Sequence, residues 1–144
     1  MPTILFIHLS WTTFRRMPMV GMTEARFLGR FLPAEARRQG ATVIALGMVC
    51  DHVHLVLRIP GRIDMPRLVQ GLKGASARYA NQDQTISRTG LRWAHGYHLV
   101  SVSPRNLKAA VAYVKSQDKR HPDRAIGGLE AQRPSAGRPS GRVA

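Results

Sequence analysis

Residues 41–59 read Ala41-Thr42-Val43-Ile44-Ala45-Leu46-Gly47-Met48-Val49, then Cys50-Asp51, then His52-Val53-His54-Leu55-Val56-Leu57-Arg58-Ile59. Two β-branched, apolar runs joined by a two-residue connection predict an antiparallel pair of strands, with a tight turn or bulge at Cys50-Asp51. Pro60-Gly61 stops the second strand. Side chains alternate along a strand, so Val53, Leu55 and Leu57 share one face and His52, His54 and Val56 the other. The first set can lie under helices. The second points two imidazoles to the opposite side.

Outward from this pair the pattern is α/β by turns. Residues 3–13 carry the β-branched and aromatic types of a first strand, ended by Arg15-Arg16-Met17-Pro18. A helix is predicted over 23–39, opened by Thr23 and Glu24 and closed by Gly40, with a kink or break at Pro33. Asp64 can cap a helix running to about Tyr79, with Leu68, Val69, Leu72 and Ala75 as its apolar stripe. Residues 81–92 are polar and read as a loop, and Tyr97–Val102 as a fourth strand. Ser103-Pro104 then starts a helix expected to reach about Gln117. Strand, helix, strand, strand, helix, strand, helix is the order of an α+β, ferredoxin-like sandwich. Such a fold has an antiparallel sheet of four to five strands and here an added C-terminal helix. Residues 1–122 are expected to form this domain. Residues 123–144, rich in Gly, Pro and Arg, are expected to be a flexible basic tail.

The chain has 144 residues, enough for one domain with a real core. Its 22 Lys and Arg against 8 Asp and Glu give a net charge of +14. That imbalance favours a polyanion such as nucleic acid. The basic residues are spread along the chain rather than gathered on an amphipathic stripe, which argues against a membrane surface. No run approaches the ~20 apolar residues of a membrane span. The N-terminus has the reverse order of a secretory signal, so a cytoplasmic location is expected. The single cysteine, Cys50, excludes an internal disulfide and a multi-cysteine zinc site.

About sixty residues after the paired histidines comes Tyr113-Val114-Lys115-Ser116-Gln117. Tyr113 and Gln117 are i and i+4, so they are expected one above the other on the same helical face. Taken singly, these residues also fit a bland reading: two sheet-surface histidines, a tyrosine at a helix edge and a solvated glutamine. Taken together, two imidazoles and an amide oxygen make an open ligand shell without thiolate. Such a shell suits Mg²⁺ or Mn²⁺ better than a closed structural zinc. The phenol beside it is a plausible nucleophile toward a phosphodiester.

These residues and four further stretches resemble one family, the single-tyrosine HUH transposases (IS200-like), and within them the REP-associated tyrosine transposases. The stretches are His8-Leu9-Ser10-Trp11-Thr12-Thr13 with Arg15-Arg16, Leu68 to Ser76, Trp93-Ala94-His95-Gly96-Tyr97, and Ser101-Val102-Ser103-Pro104. With Asp51 to Val56 and Tyr113 to Gln117, the resemblance covers about residues 5–121. It implies a ferredoxin-like nuclease that nicks single-stranded DNA, often at the foot of a hairpin. His52, His54 and Gln117 would be the metal ligands and Tyr113 the nucleophile. The products would be a 5′-phosphotyrosine and a free 3′-OH. Cys50 and Pro33 depart from the usual pattern without touching this set. A homodimer is compatible with the resemblance, as is a monomer.

Arg15, Arg16, Arg67, Lys73, Arg78, Lys108 and Lys115 are candidate phosphate contacts, though a solvated face explains any one of them equally well. Trp93 and Trp11 could stack on unpaired bases, with core packing the safer reading for Trp11. Tyr79 and Tyr97 are rival phenols without a ligand partner at i+4. His95 and His98 cannot share one strand face and read as loop or DNA-contacting residues, and His8 as a strand residue near the site. Two alternatives to the nuclease remain: a non-catalytic, hairpin-binding relic, and a replication-initiator or relaxase-type HUH enzyme, which usually needs a longer chain.

Overall fold

The computed structural model describes residues 3–87 and 90–126. Strand β1 (Ile4–Thr12) turns Ile7, Leu9 and Trp11 into the core and His8, Ser10 and Thr12 to the other side of the sheet. Helix α1 (Met22–Arg38) leads to β2 (Thr42–Val49), and β3 (His52–Pro60) returns antiparallel beside it. The second helical layer is α2 (Met65–Gln70), a widened turn over Gly71–Ala75, and α3 (Ser76–Gln82). β4 (His98–Val102) then pairs with β1, one residue shorter at its start than expected. The sheet order β2-β3-β1-β4, antiparallel throughout, is the ferredoxin-like arrangement anticipated from the element order. Its C-terminal helices are α4 (Leu107–Lys115) and α5 (Gln117–Arg120).

One face of the sheet closes over the main core, in which Leu9, Trp11, Val53, Leu55 and Leu57 meet Leu28, Leu32, Leu68 and Leu72 from the helices. The expected break at Pro33 is absent: α1 is a single helix that carries the proline inside it. A proline in a helix interior costs ~3 kcal/mol. Burial of Leu28, Leu32 and Ala36 on both sides of it offsets that cost, at roughly 1.5–3 kcal/mol for a fully buried leucine. The helix expected from Asp64 to about Tyr79 runs from Met65 to Gln82 with a widened turn inside it. Asp64 does cap it, accepting from the Arg67 backbone N–H at 3.1 Å. The widened turn begins at Gly71, which faces the side-chain ends of Glu35 and Gln39 at the close of α1.

The last expected helix is likewise divided. Ser103 Oγ accepts from the Asn106 N–H, a tight turn Pro104–Asn106 follows, and α4 ends at Lys115. Ser116 (φ −106°, ψ 23°) interrupts the helix, and Gln117 opens α5. Three donors converge on the Tyr113 carbonyl: the Ser116 N–H at 3.2 Å, Ser116 Oγ at 3.1 Å and Gln117 Nε2 at 3.0 Å. Tyr113 and Gln117 therefore do not share a helical face. Tyr113 is 37% exposed and Gln117 only 1%. The chain stays docked beyond 122, with Ala125 buried and the Arg124 carbonyl accepting from the Cys50 N–H at 2.9 Å. The expected tail from 127 onward lies outside the described residues.

Candidate active site

The face of the sheet opposite the core gathers His8 from β1 and His52 and His54 from β3. Register explains the grouping: Thr12 lies opposite His52, Ser10 opposite His54, and His8 opposite Val56. Directly opposed residues of antiparallel strands share a face. α4 packs on this face through Val114, against Ala45 and Val56. Gly47, opposite His54 on β2, lets it come close, because a Cβ there would run into the Val114 carbonyl. The close approach sets Tyr113 above the imidazoles, with ring centroids 5.8 Å from His54 and 5.8 Å from His8.

His52 is 6% exposed and held at both nitrogens. Its Nδ1–H donates to Asp51 Oδ1 at 2.8 Å, and its Nε2 lies 3.2 Å from Gln117 Oε1. A carboxylate only accepts, so the Nδ1 proton direction is fixed. In the neutral ring Nε2 then offers a lone pair to an amide oxygen that also offers lone pairs. Gln117 cannot escape by turning its amide, since Nε2 is engaged by the Tyr113 carbonyl. Two acceptors held face to face want a proton or a cation between them.

His54 completes the set. Its ring centroid is 5.0 Å from that of His52, and its Nδ1 is 2.9 Å from His8 Nε2. Burial first, then the neighbouring His52 and His8, push its pKa down to about 3. His8 is lowered too, by burial and then by His98. Both rings are neutral at physiological pH, the form in which imidazole binds metal. Among the described residues no group of three or more His, Cys, Asp or Glu side chains is arranged to hold a metal ion. The amide oxygen nearest the paired histidines is Gln117 Oε1, 3.2 Å from His52 Nε2.

Several neighbours carry no signal in a short-range reading. Arg124 reaches Asp51 at 3.3 Å, His121 lies with its ring 5.3 Å from His52, and the Arg120 guanidinium sits 4.4 Å from the Tyr113 ring centroid. Gly47 could have been flagged, since glycine inside a strand often marks a close approach. His98, read as a loop or DNA contact, lies in β4 opposite Ser10 and so on the histidine face.

The expected phosphate contacts divide. Lys108 and Lys115 are exposed on α4, on the Tyr113 side of the sheet. Arg15 and Arg16 form an exposed turn just after β1, both with left-handed backbone (φ 54° and 55°). Arg15 and Arg92 flank the Phe14 ring there, at 5.0 and 3.9 Å from its centroid. Arg67 and Arg78 belong to the helical layer across the sheet, and Arg78 stacks on Tyr79. Lys73 is half-buried and donates to the carbonyls of Ala94 and Gly96 at 2.8 and 2.6 Å. Trp93 is half-buried too, donating to Ser76 Oγ and meeting Trp11 edge-on at 5.6 Å. Of the rival phenols, Tyr79 lies against Phe31, and Tyr97 is exposed just ahead of His98 and β4.

A family model described as "Transposase IS200 like" matches residues 3–117, ending on Gln117. The ISDra2 transposase TnpA of Deinococcus radiodurans is 32% identical over 115 residues, covering 76% of this chain and 81% of that protein. A crystal structure of a candidate transposase from D. radiodurans R1 superposes with a TM-score of 0.61 at 28% identity, over 80% of this chain and 92% of that one. A REP-associated tyrosine transposase, solved bound to a REP hairpin, shares the fold with a TM-score of 0.64 at 12% identity, over 84% and 70%. No helix among the described residues is long and apolar enough to cross a membrane.

Proposed function

The chain belongs to the IS200-like transposases, and from that premise we propose that it nicks and rejoins single-stranded DNA through a covalent phosphotyrosine. The observation that carries the proposal is the His52 Nε2–Gln117 Oε1 contact at 3.2 Å, with His54 beside it and Tyr113 above. His52, His54 and Gln117 would hold Mg²⁺ or Mn²⁺. When bound, the ion supplies positive charge to a non-bridging phosphate oxygen as the phosphodiester breaks.

The rest falls to the chain's own groups. Asp51 keeps the His52 proton on Nδ1, and Gln117 Nε2 is held by the Tyr113 carbonyl, so nucleophile and ligand move as one unit. The Tyr113 hydroxyl loses its proton and attacks phosphorus. The bond to the 3′ oxygen breaks, that oxygen takes up a proton, and a 5′-phosphotyrosine and a 3′-OH result. Arg120 places a cation against the Tyr113 ring as negative charge develops on it. Exchange of one phosphoester for another retains the bond for rejoining.

We assign this unit to residues 1–122, with 123–126 docked against it. A hairpin-bearing single strand is the proposed substrate, by analogy with the hairpin bound to the REP-associated relative. Arg15, Arg16, Lys108 and Lys115 are the cations best placed for its backbone, and a DNA substrate agrees with a cytoplasmic location. The test is nicking of a labelled hairpin strand with Mn²⁺, with EDTA, and by Gln117→Leu. Product with Mn²⁺ alone, and a loss on the order of 10²-fold or more in the variant, is expected. Salt-sensitive binding with no product under any metal would instead favour a hairpin-binding relic.

A further inference from the structure

We infer that His8 is a positioning residue for His54: its Nε2 accepts the Nδ1 proton of His54 and leaves the His54 Nε2 lone pair free. The inference rests on the proposed metal site and extends it to a residue outside the ligand set.

The N···N contact of 2.9 Å between His8 Nε2 and His54 Nδ1 requires one donor and one acceptor. Two neutral imidazoles meet that condition with a single shared proton. His54 has only Nδ1 turned toward His8, just as His52 has only Nδ1 turned toward Asp51. Each β3 histidine thus has Nδ1 engaged by a neighbouring side chain, and the His52 Nε2 is turned to Gln117 Oε1. A metal-binding histidine ordinarily has its second N–H held in this way, which fixes both tautomer and ring plane. Asp51 does this for His52 from the adjacent position in sequence. His8 does it for His54 from the neighbouring strand, two pairs along the β1–β3 register and on the same face. The His8 ring also meets the Tyr113 ring at 68°. One side chain therefore braces both a ligand and the proposed nucleophile.

Two readouts on the full chain decide the point. In metal-free protein, long-range ¹H–¹⁵N imidazole spectra should show His54 protonated on Nδ1, becoming a tautomer mixture in His8→Phe. Titration calorimetry with Mn²⁺ should show affinity falling roughly 10–100-fold in His8→Phe. His8→Gln, whose amide oxygen can accept the same proton, should recover most of it. A wild-type His54 protonated on Nε2 overturns the inference, and so does an unchanged Mn²⁺ affinity in a folded His8→Phe. Should wild type bind no Mn²⁺, the metal reading fails instead, and the wild-type tautomer alone decides the place of His8.

Discussion

The two faces of the sheet are built from the same strands and do opposite work. On one, Leu9, Val53, Leu55 and Leu57 are closed over by α1, α2 and α3. On the other, His8, His52 and His54 lie beneath α4 and α5, whose apolar contact is narrow and centred on Val114. The difference teaches that alternation assigns stability and chemistry residue by residue. β3 is mostly buried on both faces: Val53, Leu55, Leu57 and Ile59 make core, while His52 and His54 face the other way beside Val56. A slip of one residue in its pairing would exchange the two.

The largest expected break in that comparison comes from adjacent residues. Leu55→Ala should lower stability by about 2–5 kcal/mol in urea unfolding while leaving nicking per folded molecule near wild type. His54→Ala should do the reverse, abolishing Mn²⁺-dependent nicking with a small change in stability. If both variants lose stability alike, the two faces are not separate in function.

Next in size is Gly47→Ala. Its Cβ must displace the Val114 carbonyl, an overpacking worth about 1–3 kcal/mol. Because Tyr113 and Gln117 flank that carbonyl, nicking should fall about 10²-fold, more than the lost stability explains. Equal kcat in Gly47→Ala and wild type would show that α4 can shift without consequence.

The histidine face should also register pH where the leucine face cannot. An unfolded His54 takes up a proton near pH 6.5, whereas the folded one stays neutral down to about 3. Between those values the unfolded chain binds more protons, so its contribution is complete above pH 6.5 and is lost as pH falls toward 3. Urea midpoints should therefore drop from neutral pH to about pH 5, and drop less in His54→Gln. A midpoint independent of pH over that range contradicts the burial of a neutral ring.

The smallest effect distinguishes cations by face. Lys115→Ala should reduce the salt slope of single-stranded DNA binding by about 0.7. Lys73→Met should leave the slope alone and cost about 1 kcal/mol of stability, since its ammonium ties the carbonyls of Ala94 and Gly96. A fall in slope for Lys73→Met would return that residue to the DNA interface.

The element order and the sorting of β3 into two faces could be read from the residues, because period two and the turn at Cys50-Asp51 are local signals. What could not be read depends on distant partners. Pro33 stays inside α1 because the buried leucines around it hold the helix. Gly71, where the turn widens, faces the side-chain ends of Glu35 and Gln39. Gln117 leaves the Tyr113 face because Ser116 ends α4, which the i, i+4 spacing of the two residues does not signal. Gly47 and His8 gain their meaning only from Val114 and His54, residues far off in the chain. Lys73 ties the carbonyls of Ala94 and Gly96, residues 21 and 23 positions on, which its own stretch of sequence does not signal.

The central claim is that the histidine face is a nuclease centre with Tyr113 as its nucleophile. Its most direct test is mass spectrometry of the protein after incubation with a hairpin-bearing single strand and Mn²⁺. A DNA adduct on the peptide carrying Tyr113, linked through a 5′ phosphate and absent from Tyr113→Phe, is the predicted result. An adduct on Tyr79 or Tyr97, or one of undiminished yield in Tyr113→Phe, would contradict it.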